Sequence, residues 1–153
     1  MHGSQKTVIK GLCFILCMVV SLVAAMPLMA EYTNVAVTDT SDPAYWVDRG
    51  ALYATYGSYT AAVKAYNKAL TLDANNSKAY FNRGLSYAEL GDYTSALADI
   101  NKAIALDSGQ AGYFYGRGRV KLISGNKDEA LADFRKAAAM GNSDAGAYLD
   151  AMR

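Results

Sequence analysis

A chain of 153 residues, 52% of them hydrophobic, has the length of one domain and enough apolar content to build a core. The formal net charge is +1, and from Glu31 onward 13 Lys/Arg face 14 Asp/Glu, which leaves no clustered basic face for nucleic acid or an anionic membrane surface. The histidine and both cysteines (His2, Cys13, Cys17) all precede Glu31, so disulfides, thiolate nucleophiles, imidazole bases and Cys/His metal sites are excluded beyond it, and no catalytic residue, metal or cofactor is expected there.

In chain order, residues 1–30 have the makeup of a signal peptide. Lys6 and Lys10 mark a short basic start, Leu12 to Ala25 is uncharged and apolar, and Met26-Pro27-Leu28-Met29-Ala30 ends on a small residue. This order predicts export, with cleavage after Ala30 and a periplasmic or secreted product. The alternative is an uncleaved membrane anchor over residues 11–30, a charge-free run close to the ~20 residues that span a bilayer. Ile15-Leu16 before Cys17 are not the small residues of a lipidation box. Residues 31–42 lack a helical period and end in a Thr/Ser/Asp cluster, as a flexible linker does. Asp42 and Pro43 then form a helix start, with a capping carboxylate before a proline at the first helical position.

From Pro43 the sequence repeats with a period of 34 residues, in units 43–76, 77–110 and 111–144. Arg49/Arg83, Gly50/Gly84, Tyr53/Tyr87, Gly57/Gly91, Ala62/Ala96, Asn67/Asn101, Lys68/Lys102, Ala69/Ala103 and Asp73/Asp107 are among the identities, and Arg117, Gly118, Gly125, Ala130, Lys136 and Ala137 keep the register in the third unit. Each unit predicts two helices, near 43–56 and 59–72, 77–90 and 93–106, 111–124 and 127–140. Gly50, Gly84 and Gly118 belong where the two helices of a unit meet, opposite Ala62, Ala96 and Ala130. Gly57, Gly91 and Gly125 end the first helix of each, where a left-handed residue is needed. The tail, Ser143 to Arg153, begins another helix and stops. It is expected to cap the open end of the stack, over residues 145–153, with Tyr148 and Leu149 turned inward.

The aromatic, small residue and tyrosine at Trp46, Gly50 and Tyr53, then Ala62, Tyr66 and Ala69, resemble the tetratricopeptide repeat (TPR) family. The second unit keeps Tyr80, Gly84, Tyr87, Ala96, Ile100 and Ala103, and the third Phe114, Gly118, Ala130, Phe134 and Ala137. Lys121 replaces the third tyrosine, Ala74, Ser108 and Asn142 replace the terminal proline, and Arg49, Arg83 and Arg117 replace a buried leucine. The resemblance implies an all-α fold, an α-solenoid of three antiparallel helix-turn-helix repeats with a C-terminal capping helix. Asp99 and Asp133 lie where Arg83 and Arg117 can pair internally, whereas the first repeat has Ala65 there. An anion-binding arginine ladder is the competing interpretation.

The resemblance also implies a concave groove lined by the first helix of each repeat. Its binding residues are Val47, Asp48, Ala51 and Thr55; Lys78, Phe81, Asn82, Leu85 and Glu89; and Tyr115, Arg119, Leu122 and Ile123. Phe81, Asn82, Leu85, Tyr115 and Arg119 are expected to form one contiguous patch. Only Asn82 matches the family's basic clamp for C-terminal carboxylates; Val47, Ala51, Gly112 and Gly116 stand at its other positions. Gly109, Gly112, Gly116 and Gly118 resemble a phosphate loop by spacing alone, with no strand before them. The expected role is therefore an adaptor for a protein or peptide partner of the cell envelope, and the alternative is self-assembly into homo-oligomers by repeat stacking. Neither nucleic acid nor enzymatic activity is expected, and a membrane only through the N-terminal segment.

Overall fold

In a computed structural model that describes residues 40–152, every regular element is an α-helix. The expected signal or anchor (residues 1–30) and most of the expected linker lie outside the described residues. Helices α1 (Pro43–Thr55) and α2 (Tyr59–Leu72) form the first hairpin, α3 (Ser77–Glu89) and α4 (Tyr93–Leu106) the second, and α5 (Ala111–Ile123) and α6 (Lys127–Ala139) the third. The short α7 (Ser143–Asp150) closes the series. Each helix packs on the other helix of its hairpin, and each second helix packs on the first helix of the next hairpin. That is the geometry of an all-α repeat solenoid.

The helix ends follow from local chemistry. The Asp42 carboxylate accepts from Ala44 N at 2.8 Å ahead of Pro43, and Asn76 and Asn142 cap α3 and α7 by accepting from Ala79 N and Ala145 N. After α1, Gly57 N donates to Ala54 O and Ser58 N to Tyr53 O, a closure that needs a left-handed residue; Gly57 supplies φ 71°. Gly91, Gly125 and Gly141 repeat this at φ 83°, 91° and 90°.

Small residues set how close the two helices of a hairpin come. A Cβ built on Gly84 would stand 2.8 Å from Ile100 Cγ1 and 2.9 Å from the Ala96 carbonyl oxygen, and one on Gly118 would stand 2.7 Å from Phe134 Cε1. Gly50 lies against the Tyr66 ring in the same way. Ala62, Ala96 and Ala130 are fully buried opposite them. The cores around Tyr66, Ile100 and Phe134 run along the stack, and α7 covers the last with Ala145, Tyr148 and Leu149; Tyr148 meets the Phe134 ring at 4.6 Å.

Candidate protein-binding site

The first helices of the hairpins place the expected groove residues, but only some share a surface. Ala51 and Ala54 of α1, Tyr59 and Tyr66 of α2, and Asn82, Leu85, Ser86 and Glu89 of α3 line an open cleft of about 240 Å³ between the first two hairpins. Two alanines make the room, and Tyr59, Tyr66 and Leu85 supply apolar wall. Ser86 is inward-facing and already donates to Asn82 O at 2.9 Å. The Asn82 side-chain amide makes no hydrogen bond among the described residues, and Glu89 is exposed without an ion pair there. Burial pushes the Tyr66 phenol up to about 12, so that ring stays neutral at physiological pH. An apolar side chain therefore has a seat, with an amide and a carboxylate beside it.

Ala51, Asn82, Leu85 and Glu89 thus come together, and Asp48, Lys78 and Arg119 lie exposed on the first helices. Val47 is a correction. It is buried in the first core with Tyr66 and Ala79, because its position on α1 faces the next hairpin rather than the groove. Phe81 and Tyr115, the equivalent residues, are half-buried by the same logic. Phe81 lies 4.5 Å from the Tyr113 ring and over Gly116, and Tyr115 lies 5.7 Å from the Phe134 ring. Of the expected patch, Phe81 and Leu85 stand together over Gly116, whereas Tyr115 packs in the next core with Phe134. Tyr59, half-buried, and Tyr66, a core ring only 1% exposed, form the back of this cleft although neither is among the groove residues expected from the sequence.

The arginines pair internally, and the anion-ladder interpretation falls for two of them. Arg83 donates from Nε to Asp99 Oδ2 at 2.6 Å and from Nη2 to Oδ1 at 2.7 Å; Arg117 does the same with Asp133 at 2.9 and 2.6 Å. A third donor reaches back across the repeat boundary, from Arg83 Nη1 to Asn67 Oδ1 at 2.6 Å and from Arg117 Nη1 to Asn101 Oδ1 at 2.7 Å. The recurrence of Asn67 and Asn101 was the available signal for this second link. Lys121, where the other repeats have tyrosine, sits 3.0 Å from both Asp133 and Glu129. Burial works most strongly against the Asp133 charge, yet Arg117 and Lys121 together hold its carboxyl below the ordinary range. These forks join the two helices of the second and of the third hairpin and tie each of those two to the one before.

Similarity to known proteins agrees with this geometry. A TPR repeat profile matches residues 50–91 and a tetratricopeptide repeat profile matches residues 77–109. No curated protein matches the sequence. Among solved structures, the Arabidopsis OM64 TPR domain is similar with a TM-score of 0.69 at 25% identity, over 74% of this chain and 96% of that one. The second TPR of Spaghetti (RPAP3), bound to the HSP90 peptide SRMEEVD, has a TM-score of 0.62 at 26% identity, over 67% and 94%. MamA has a TM-score of 0.62 at 25% identity over 72% of this chain, which spans 64% of the MamA chain. The described helices have the all-α fold of a tetratricopeptide-repeat solenoid, and residues 50–109 carry the sequence similarity to that repeat family.

Proposed function

We propose that this chain is an exported, non-catalytic adaptor that holds a segment of a cell-envelope protein in its groove, with the cleft between the first two hairpins as the principal seat. The observation carrying this reading is the open volume over Ala51 and Ala54, walled by Tyr59, Tyr66 and Leu85 and flanked by Asn82 and Glu89. Aromatic and aliphatic walls with a few polar groups suit an extended or helical segment anchored by an apolar side chain. The peptide complex of the second TPR of Spaghetti supports a peptide partner in general. The acidic tail of that peptide is a poor fit here, because of the clamp pattern only Asn82 is present.

Two measurements test the reading. Ala51→Phe fills the cleft from an exposed backbone position, so a partner retained by the wild-type chain should be lost while the melting temperature holds. Retention by Ala51→Phe at wild-type affinity removes the cleft as the seat. Export is tested separately: material recovered from a periplasmic or culture fraction should begin at or near Glu31, whereas an intact Met1 on membrane-bound protein establishes the anchor.

A further inference from the structure

We propose that the N-terminal edge of the first hairpin docks a helix of a partner protein that brings a carboxylate to Arg49. The three repeats supply the comparison. Arg83 and Arg117 each satisfy Nε and Nη2 with an aspartate of their own hairpin and Nη1 with an asparagine of the preceding one. Arg49 holds the same position, but Ala65 stands where the aspartate would be, and no hairpin precedes it among the described residues. Its Nε, the donor given to a carboxylate in the other repeats, goes instead to Tyr53 Oη at 3.3 Å, and its guanidinium is exposed. Among the described residues its Nη donors have no acceptor.

The apolar surroundings of Arg49 are incomplete in the same way. Leu52 is 48% exposed, although its equivalents Ser86 and Val120 are each 2% exposed. Tyr45 is half-exposed, although its equivalents Ala79 and Tyr113 are buried. The second helix of a preceding hairpin covers these positions in repeats two and three. Lys64 and Lys68 of α2 are exposed as well, and neither makes an ion pair among the described residues. Lys68 is the equivalent of Lys136, which lies over the Phe114 ring together with Arg117. An exposed apolar face with a half-satisfied arginine fork and two exposed lysines fits an amphipathic acidic helix, for which charge-assisted bidentate bonds are the strong contacts.

A second copy of the chain is the wrong occupant. In head-to-tail stacking the last hairpin would bring Arg135, its equivalent of Asn67 and Asn101, against Arg49, and α7 already covers that end. The Nε–Hε resonances of the arginines in the full chain report the fork directly. The probe is a synthetic peptide copying residues 59–72, the helix that covers this face in the second repeat, with Asn67→Asp; the same peptide with Asn67→Lys is the control. The Asp peptide should move the Arg49 signal and leave those of Arg83 and Arg117 in place. Its dissociation constant, read by fluorescence anisotropy, should rise about tenfold in Arg49→Gln. Ala65→Asp, which fills the seat from within, should raise the melting temperature and abolish the response. The proposal fails if neither peptide moves Arg49 or both move it equally. It fails equally if the Arg49 signal without peptide already resembles that of Arg83, or shifts on dilution, since the occupant is then this chain or a second copy of it.

Discussion

The first hairpin and the two that follow have nearly the same helices, glycines and buried alanines, yet their edges are built differently. In the second and third, an arginine is locked by an aspartate across the hairpin and an asparagine across the repeat boundary, and the residue three on from it, Ser86 or Val120, is buried. In the first, Arg49 leans on Tyr53 and Leu52 stands in solvent. One position in the repeat thus has two environments, because in a stacked array a residue is completed by its neighbour as much as by its own unit. The hairpins with both neighbours are expected to carry the stability, and the first to be free for contact.

The comparison breaks most sharply at the core. Tyr66→Ala leaves a cavity beside Gly50 and should cost about 3–5 kcal/mol, the usual range for removing a buried aromatic, as read by chemical denaturation. A small loss would show that the first hairpin is only loosely held. Next in size is Asp99→Ala. It strands Arg83 at a half-buried site and should cost about 1.5–3 kcal/mol, the worth of hydrogen bonds to charged groups, whereas Arg49→Ala should leave the melting temperature unchanged. Equal effects from the two would erase the distinction between the first repeat and the others.

Smaller again, Gly91→Ala places a side chain at φ 83° and should cost about 1–2 kcal/mol by thermal melting. The least effect concerns pH. Asp133 is held below the ordinary carboxylate range, so it binds a proton more readily unfolded than folded. Its contribution is present above the unfolded value of about 3.9 and is lost as pH falls through the lower folded value. Asp133→Asn should therefore flatten the acid limb of the stability curve below about pH 4. An unchanged acid limb would mean that Arg117 and Lys121 do not favour its charged form.

Much of the fold was legible because it is dictated locally. The period, the capping Asp42 and the glycines at the ends of α1, α3 and α5 locate the helices nearly to the residue, and the 34-residue register placed Asp99 and Asp133 where Arg83 and Arg117 can reach them, as they do. These features depend on backbone conformation or on a contact inside one hairpin, where spacing in sequence translates into spacing in space. The tertiary structure decided the rest. It buried Val47 against the next hairpin, turned Phe81 onto Tyr113 and Gly116, opened the cleft over Ala51 and Ala54, and left Leu52 without cover. Each of those outcomes turns on how one hairpin is rotated on the next, an angle set by the summed shapes of side chains from two repeats and therefore not written in the periodicity of either.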